Sequence, residues 1–153
     1  MNSQHLASPH KAEKGVGLIE VLITLVVLGV GILGLATLQT VALKNNNSAM
    51  ARSQAVVLSY AMFDILRANR PAALAGSYNM SMPTSGCPTP SASGLVGSDQ
   101  QYWIDLLQSA LGSDACGSID CDNIGNCTLQ IRWNDQNATG GSAAQTLETR
   151  TLL

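Results

Sequence analysis

The strongest constraint on this chain is a long stretch near its start that carries a single charge. From Val16 to Leu43 the only ionisable residue is Glu20, and Val21 to Leu38 is almost wholly apolar. At ~1.5 Å rise per residue, a helix over Val16 to Leu43 is ~40 Å long, enough to cross a bilayer. A polar segment, Met1 to Gly15, precedes it with Lys11, Glu13 and Lys14, and only Lys44 follows closely. Lysines ahead of the span favour a cytoplasmic amino terminus, which places everything beyond Lys44 on the far side. The same stretch explains a composition that is 46% hydrophobic and 12% charged, about half the ~25% charge of ordinary soluble domains.

Composition also removes chemistry. The only histidines, His5 and His10, precede the span, so the body of the chain has no imidazole base, metal ligand or nucleophile partner. A net charge of −2 leaves no electrostatic footprint for nucleic acid. The expectation is a protein that is not an enzyme and needs neither cofactor nor metal. A single-span envelope enzyme would require an unusual carboxylate or Lys44 mechanism and is the least favoured reading.

Three readings of the span compete. A cleavable secretory signal needs a shorter apolar core and a small-residue cleavage site, for which Gly34, Ala36 and Ala42 offer only vague matches. A plain anchor fits the hydropathy but leaves Glu20 as an unexplained carboxylate or an interfacial snorkeller. The third reading uses every residue. Lys14-Gly15-Val16-Gly17-Leu18-Ile19-Glu20-Val21-Leu22 resembles the prepilin signal of type IV pilins and pseudopilins. That resemblance implies cleavage by a prepilin peptidase between Gly15 and Val16, N-methylation of Val16, and Glu20 as fifth residue of the mature chain. Val16 stands where the family usually has phenylalanine. The new amine of a neighbouring subunit could pair with Glu20 at only one axial stagger, so the carboxylate would set assembly register.

Beyond the span the pattern remains helical. Val56, Val57, Tyr60, Phe63 and Leu66 recur at helical spacing, and Pro71 is expected to end the helix just after Arg67 and Arg70. One helix over Val16 to Arg70 would be ~80 Å long. Gly29, Gly31 and Gly34 permit local unwinding or close helix packing. The organisation expected is a leader at 1–15, a transmembrane half-helix at 16–43, an amphipathic half at 44–70 and a head at 71–153.

In the head, residues 72–98 read as a connecting loop with room for a short strand. Ser98 and Gln101 form a capping-box candidate before a helix whose Trp103, Leu106, Leu107, Ala110 and Leu111 share a face, with Gly112 as its stop. Cys127, Leu129, Ile131 and Trp133 alternate with polar residues as a half-buried strand does, and Gln145 to Leu152 can pair back on it. The fold class is therefore α+β: a long helix packed on a small antiparallel sheet, with one extra helix. Four cysteines, Cys87, Cys116, Cys121 and Cys127, suggest two disulfides on the oxidising side of an envelope, with three connectivities open. A zinc site lacks histidine and a Cys-x-x-Cys pair. Asp114, Asp120, Asp122, Asn123 and Asn126 lack calcium-loop spacing and read as a solvated acidic loop.

The resemblance narrows further. Ile19 to Ile23, Leu28 to Gln39 and Ile65-Leu66-Arg67-Ala68-Asn69-Arg70 are similar to PilV-type minor pilins, as is Gln130-Ile131-Arg132-Trp133 more loosely. It implies a low-abundance subunit that primes type IV pilus assembly with other minor pilins and the major pilin, at or near the tip. Its partners would include the prepilin peptidase and the assembly platform. It would lie in the inner membrane with its head periplasmic before assembly, and at the cell surface afterwards. The alternative is a pseudopilin of a type II secretion system, which shares the helix signals.

Overall fold

The computed structural model describes Gly15 and residues 17–84, 86–90 and 93–153. Lys11, Lys14 and Val16, with the rest of the expected leader, lie outside the described residues. The chain divides into two units between Gln39 and Thr40, and one helix, α1 (Leu18–Ala68), contributes to both. Its first turn is closed by Glu20 and Val21 donating to the Gly17 carbonyl at 3.0 and 3.3 Å.

In the first unit, every described residue is exposed. Leu18, Ile19, Leu25, Val30 and Leu33 each show more than half of their surface. The helix is long and apolar enough to cross a membrane. Thr24 and Thr37 donate their hydroxyls back to the carbonyls of Val21 and Leu33 at 2.8 and 3.1 Å, so neither needs water. The helix is continuous through Gly29, Gly31 and Gly34. The unwinding that three weak helix formers permit does not occur, and a Cβ at any of them would meet open space.

In the second unit, α1 buries Ala55, Ser59, Met62, Phe63 and Leu66. This corrects the expected stripe: Val56, Val57 and Tyr60 point outward, the latter two 65% and 56% exposed. Phe63 and Leu66 of that stripe are buried as expected, but the face is turned toward Ala55, Ser59 and Met62. There Trp103 Nε1 donates to the backbone carbonyl of Leu58 at 3.0 Å, a closeness that a large side chain at position 55 or 59 would prevent. Pro71 also acts differently from expectation. The helix breaks one step earlier, at Asn69, and a short helix α2 (Arg70–Leu74) follows with Pro71 in its first turn. Proline has no N–H to give the preceding turn, yet its fixed φ suits a helix start. Gly76 then adopts φ +72° and lets Ser77 donate to Ala72 at 3.0 Å, the left-handed stop that glycine accepts most easily.

Helix α3 (Gly94–Leu111) begins four residues before the expected capping box, with Ser93 as N-cap. Ser98 is already inside it, its hydroxyl bonded to the Gly94 carbonyl at 3.0 Å. Its buried face is Gln100, Trp103, Ile104 and Leu107; Ala110 lies exposed and Leu106 half-buried, a rotation of the expected stripe. Gly112 ends the helix as anticipated, at φ 104°.

The sheet has three antiparallel strands in the order β1 (Cys116–Cys121), β2 (Asn126–Trp133), β3 (Gln145–Leu152). Strand β2 buries alternate residues Cys127, Leu129, Ile131 and Trp133. Strand β1 was expected as part of an acidic loop, and its Gly117 faces Ile131 while Ile119 faces Leu129. The outer edge of β1 is not left open: Met80 and Ile119 exchange backbone bonds at 2.8 and 2.9 Å, and Asn79 brackets the Cys121 backbone at 2.8 and 3.1 Å. Covering an edge in this way removes a template for unwanted pairing.

Candidate functional site

The amino-terminal end of α1 is the first candidate. Gly15 and Gly17 lie outside the helix, which begins at Leu18. Glu20 sits in the first turn, where its carboxylate complements the helix dipole. Its side chain is exposed and forms no ion pair among the described residues. The described part of the motif thus stands as an exposed carboxylate in the first turn of an apolar helix, with Gly15 and Gly17 exposed ahead of it.

The head carries a different set of groups. Its cysteines pair as Cys87–Cys116 and Cys121–Cys127, one of the three arrangements left open. The second pair lies directly opposite across β1 and β2. The first ties the loop preceding α3 to the start of β1. Arg132 reinforces that tie, donating from Nη1 to Pro83 O at 3.0 Å and from Nη2 to Gly86 O at 2.6 Å. Sequence reasoning missed this clamp, although the outward phase of Arg132 on β2 was legible.

Asp122 is spent on a turn. Its oxygens accept from the backbone of Ile124 and Asn126 and from the Asn126 side-chain amide, at 2.8 to 3.0 Å. The Asn126 amide, helped by those backbone N–H groups, holds the Asp122 carboxyl below its usual value. Among the described residues no group of three His, Cys, Asp or Glu is placed to hold a metal.

Tyr78, fully buried, donates its hydroxyl to Asp99 at 2.6 Å and accepts from Asn69 at 3.1 Å. Burial first, and then the Asp99 carboxylate, raise the phenol above its ordinary value, with Asn69 acting the other way. No sequence pattern announced this junction of α1, α2 and α3. A cleft of about 410 Å³ lies where the β2–β3 loop meets α1, lined by Lys44, Ser48, Trp133 and Asp135 among others. Trp133 is buried as expected of a core residue, but its Nε1 has no hydrogen-bond partner among the described residues.

Comparison with known proteins bears on the helix end. Residues 10–36 match the family signature described as the prokaryotic N-terminal methylation motif. No curated protein and no solved structure matches the chain. The methylation motif covers Lys11, Lys14, Gly15, Val16 and Glu20 together with the first part of the apolar helix. It supports a prepilin-type protein, a type IV pilin or pseudopilin processed by prepilin peptidase. The α+β layout of long amino-terminal helix, three-stranded sheet, extra helix and two disulfides agrees with that class.

Proposed function

We propose that this chain is a minor pilin of the PilV type that primes type IV pilus assembly and enters the fibre at or near its tip. The observation that carries its prepilin part is the spacing of Lys14, Gly15 and Glu20 at the start of an exposed apolar helix, and the PilV assignment rests on the resemblance at Ile19 to Ile23, Leu28 to Gln39 and Ile65 to Arg70. The precursor inserts with Lys11 and Lys14 inside, residues 1–15 acting as leader. Prepilin peptidase cuts between Gly15 and Val16, and the new amine is methylated. Residues 16–43 cross the inner membrane, residues 44–70 carry the amphipathic half, and the head at 71–153 oxidises and folds outside.

Glu20 then has a function beyond insertion. A carboxylate in an apolar setting is costly unless paired, and no partner exists for it within the described chain. The cationic amine of an adjacent pilin is the complementary group, and it fits at one axial offset. The partners are other minor pilins, the major pilin, the peptidase and the assembly platform. The chain itself turns over no substrate.

Mass spectrometry of the membrane-extracted protein, with and without prepilin peptidase, tests the reading. The expected product begins at methylated Val16 only when peptidase is present. A chain that keeps its lysine-bearing leader in piliated cells would overturn it. The motif serves pseudopilins equally well, so loss of surface fibres on deletion, with exoprotein export intact, is the outcome that separates the two assignments.

A further inference from the structure

Four asparagines in this chain have a hydroxyl residue two positions later with no proline between, the acceptor pattern for N-linked glycans: Asn46, Asn79, Asn126 and Asn137. The fold sorts them. Asn46 lies inside α1, where its backbone is committed to helical bonds. Asn79 uses its side-chain amide to bracket the Cys121 backbone. Asn126 is in β2, its amide bonded to Asp122 at 2.8 Å, and its neighbour Cys127 is held in a disulfide. Asn137 is the exception. All four asparagines are exposed, but Asn137 is the one in a turn, between β2 and β3, with Thr139 exposed beside it and no side-chain hydrogen bond among the described residues.

The surrounding loop presents this turn from a fixed base. Asp135 N donates to Ser142 O at 2.8 Å, Ala138 N to Asp135 O at 3.1 Å and Gly141 N to Ala138 O at 3.0 Å. The loop is held to α1 by Ser48 Oγ donating to Asp135 Oδ2 at 2.5 Å and by Thr139 N donating to Asn45 Oδ1 at 3.2 Å. Of the four asparagines, Asn137 alone has an acid two residues upstream, Asp135. The turn therefore presents an unbonded amide at Asn137 and a hydroxyl at Thr139, both exposed, while the half-buried Asp135 carboxylate accepts from Ser48 and fixes the loop beneath them.

We propose that Asn137 is an acceptor for an N-linked oligosaccharide, delivered from a polyprenyl-diphosphate carrier by an oligosaccharyltransferase outside the cytoplasm. Asn137 Nδ2 forms a bond to the anomeric carbon of the glycan. The bond from that carbon to the carrier oxygen breaks, the diphosphate leaves with the electron pair, and the amide proton passes to a transferase carboxylate. The inference rests on the proposed function, because it needs the head on the far side of the membrane.

Trypsin releases Trp133 to Arg150 as one peptide, in which Asn137 is the only acceptor asparagine. In protein isolated from its own cell envelope, this peptide is expected to gain the mass of an oligosaccharide that survives mild alkaline β-elimination. Asn137→Gln and Thr139→Val each return it to bare mass, and Asn79→Gln leaves the gain intact. A bare wild-type peptide, a glycan lost to β-elimination, or a glycan retained in Asn137→Gln would overturn the assignment. The same digest separates the two claims. Methylated Val16 and both disulfides with a bare peptide sink the glycan alone; a retained leader with reduced cysteines sinks the proposed function, and the glycan site with it.

Discussion

Gly117 shows how one missing atom sets the spacing of two layers. A Cβ there would collide with the Trp103 ring and come within 2.9 Å of Leu107 Cδ1. Both of those side chains are fully buried, so neither can swing away. Gly117→Ala should therefore cost ~1–3 kcal/mol, read as a lowered urea midpoint with the slope unchanged. Tyr78 gives a pH signature. Its phenol is raised in the folded protein, so its contribution is complete below the unfolded value of ~10 and is lost as pH climbs through the folded value. Tyr78→Phe is expected to lose ~1 kcal/mol at neutral pH and to flatten the alkaline limb of stability against pH. For Glu20, replacement by alanine should leave the protein in the membrane fraction while fibre output falls sharply, measured as sheared pili per cell. Wild-type output from that variant would remove the pairing from the proposal.

Among the elements, β2 and β3 were readable because alternation of apolar and polar residues is a local pattern. Strand β1 was not. Cys116-Gly117-Ser118-Ile119-Asp120-Cys121 contains glycine and aspartate, both poor strand formers, and becomes a strand through β2 on one side and Asn79–Met80 on the other. The face of α1 was legible at Phe63 and Leu66 but not at Val56, Val57 and Tyr60: periodicity supplies a stripe, but the choice between Val56 and Ala55 depends on how near Trp103 comes. Disulfide pairing was beyond sequence because four cysteines allow three solutions. The Gly15–Glu20 spacing, by contrast, was legible as a composite motif. The two disulfides should differ in worth. Cys87–Cys116 closes a separation of 29 residues and Cys121–Cys127 one of 6. Loop-closure entropy then assigns about 3–4 kcal/mol to the first and about 2 kcal/mol to the second. Serine double variants compared by urea unfolding check that order.

At the scale of the whole molecule, the two units ask for different surroundings. The second has its own core, from Met62 and Phe63 through Trp103 to Leu129 and Ile131, and two cross-links. The first has no buried residue among those described, so its apolar surface must be covered from outside the chain. Alkaline carbonate washing is expected to leave the full chain in the membrane pellet, and protease added to spheroplasts should digest the head while sparing a fragment near residues 16–43. Release by carbonate would contradict a spanning helix.

The two threonine hydroxyls that bond back onto their own helix have a consequence for neighbours. Between Leu22 and Leu38 they leave little except methyl and methylene groups to be met from the side. Sliding lengthwise past such a surface breaks no polar contact, so nearly every height is equivalent to a passing helix. Under the proposed pairing, the acid in the first turn is the group that would set a zero point along that surface.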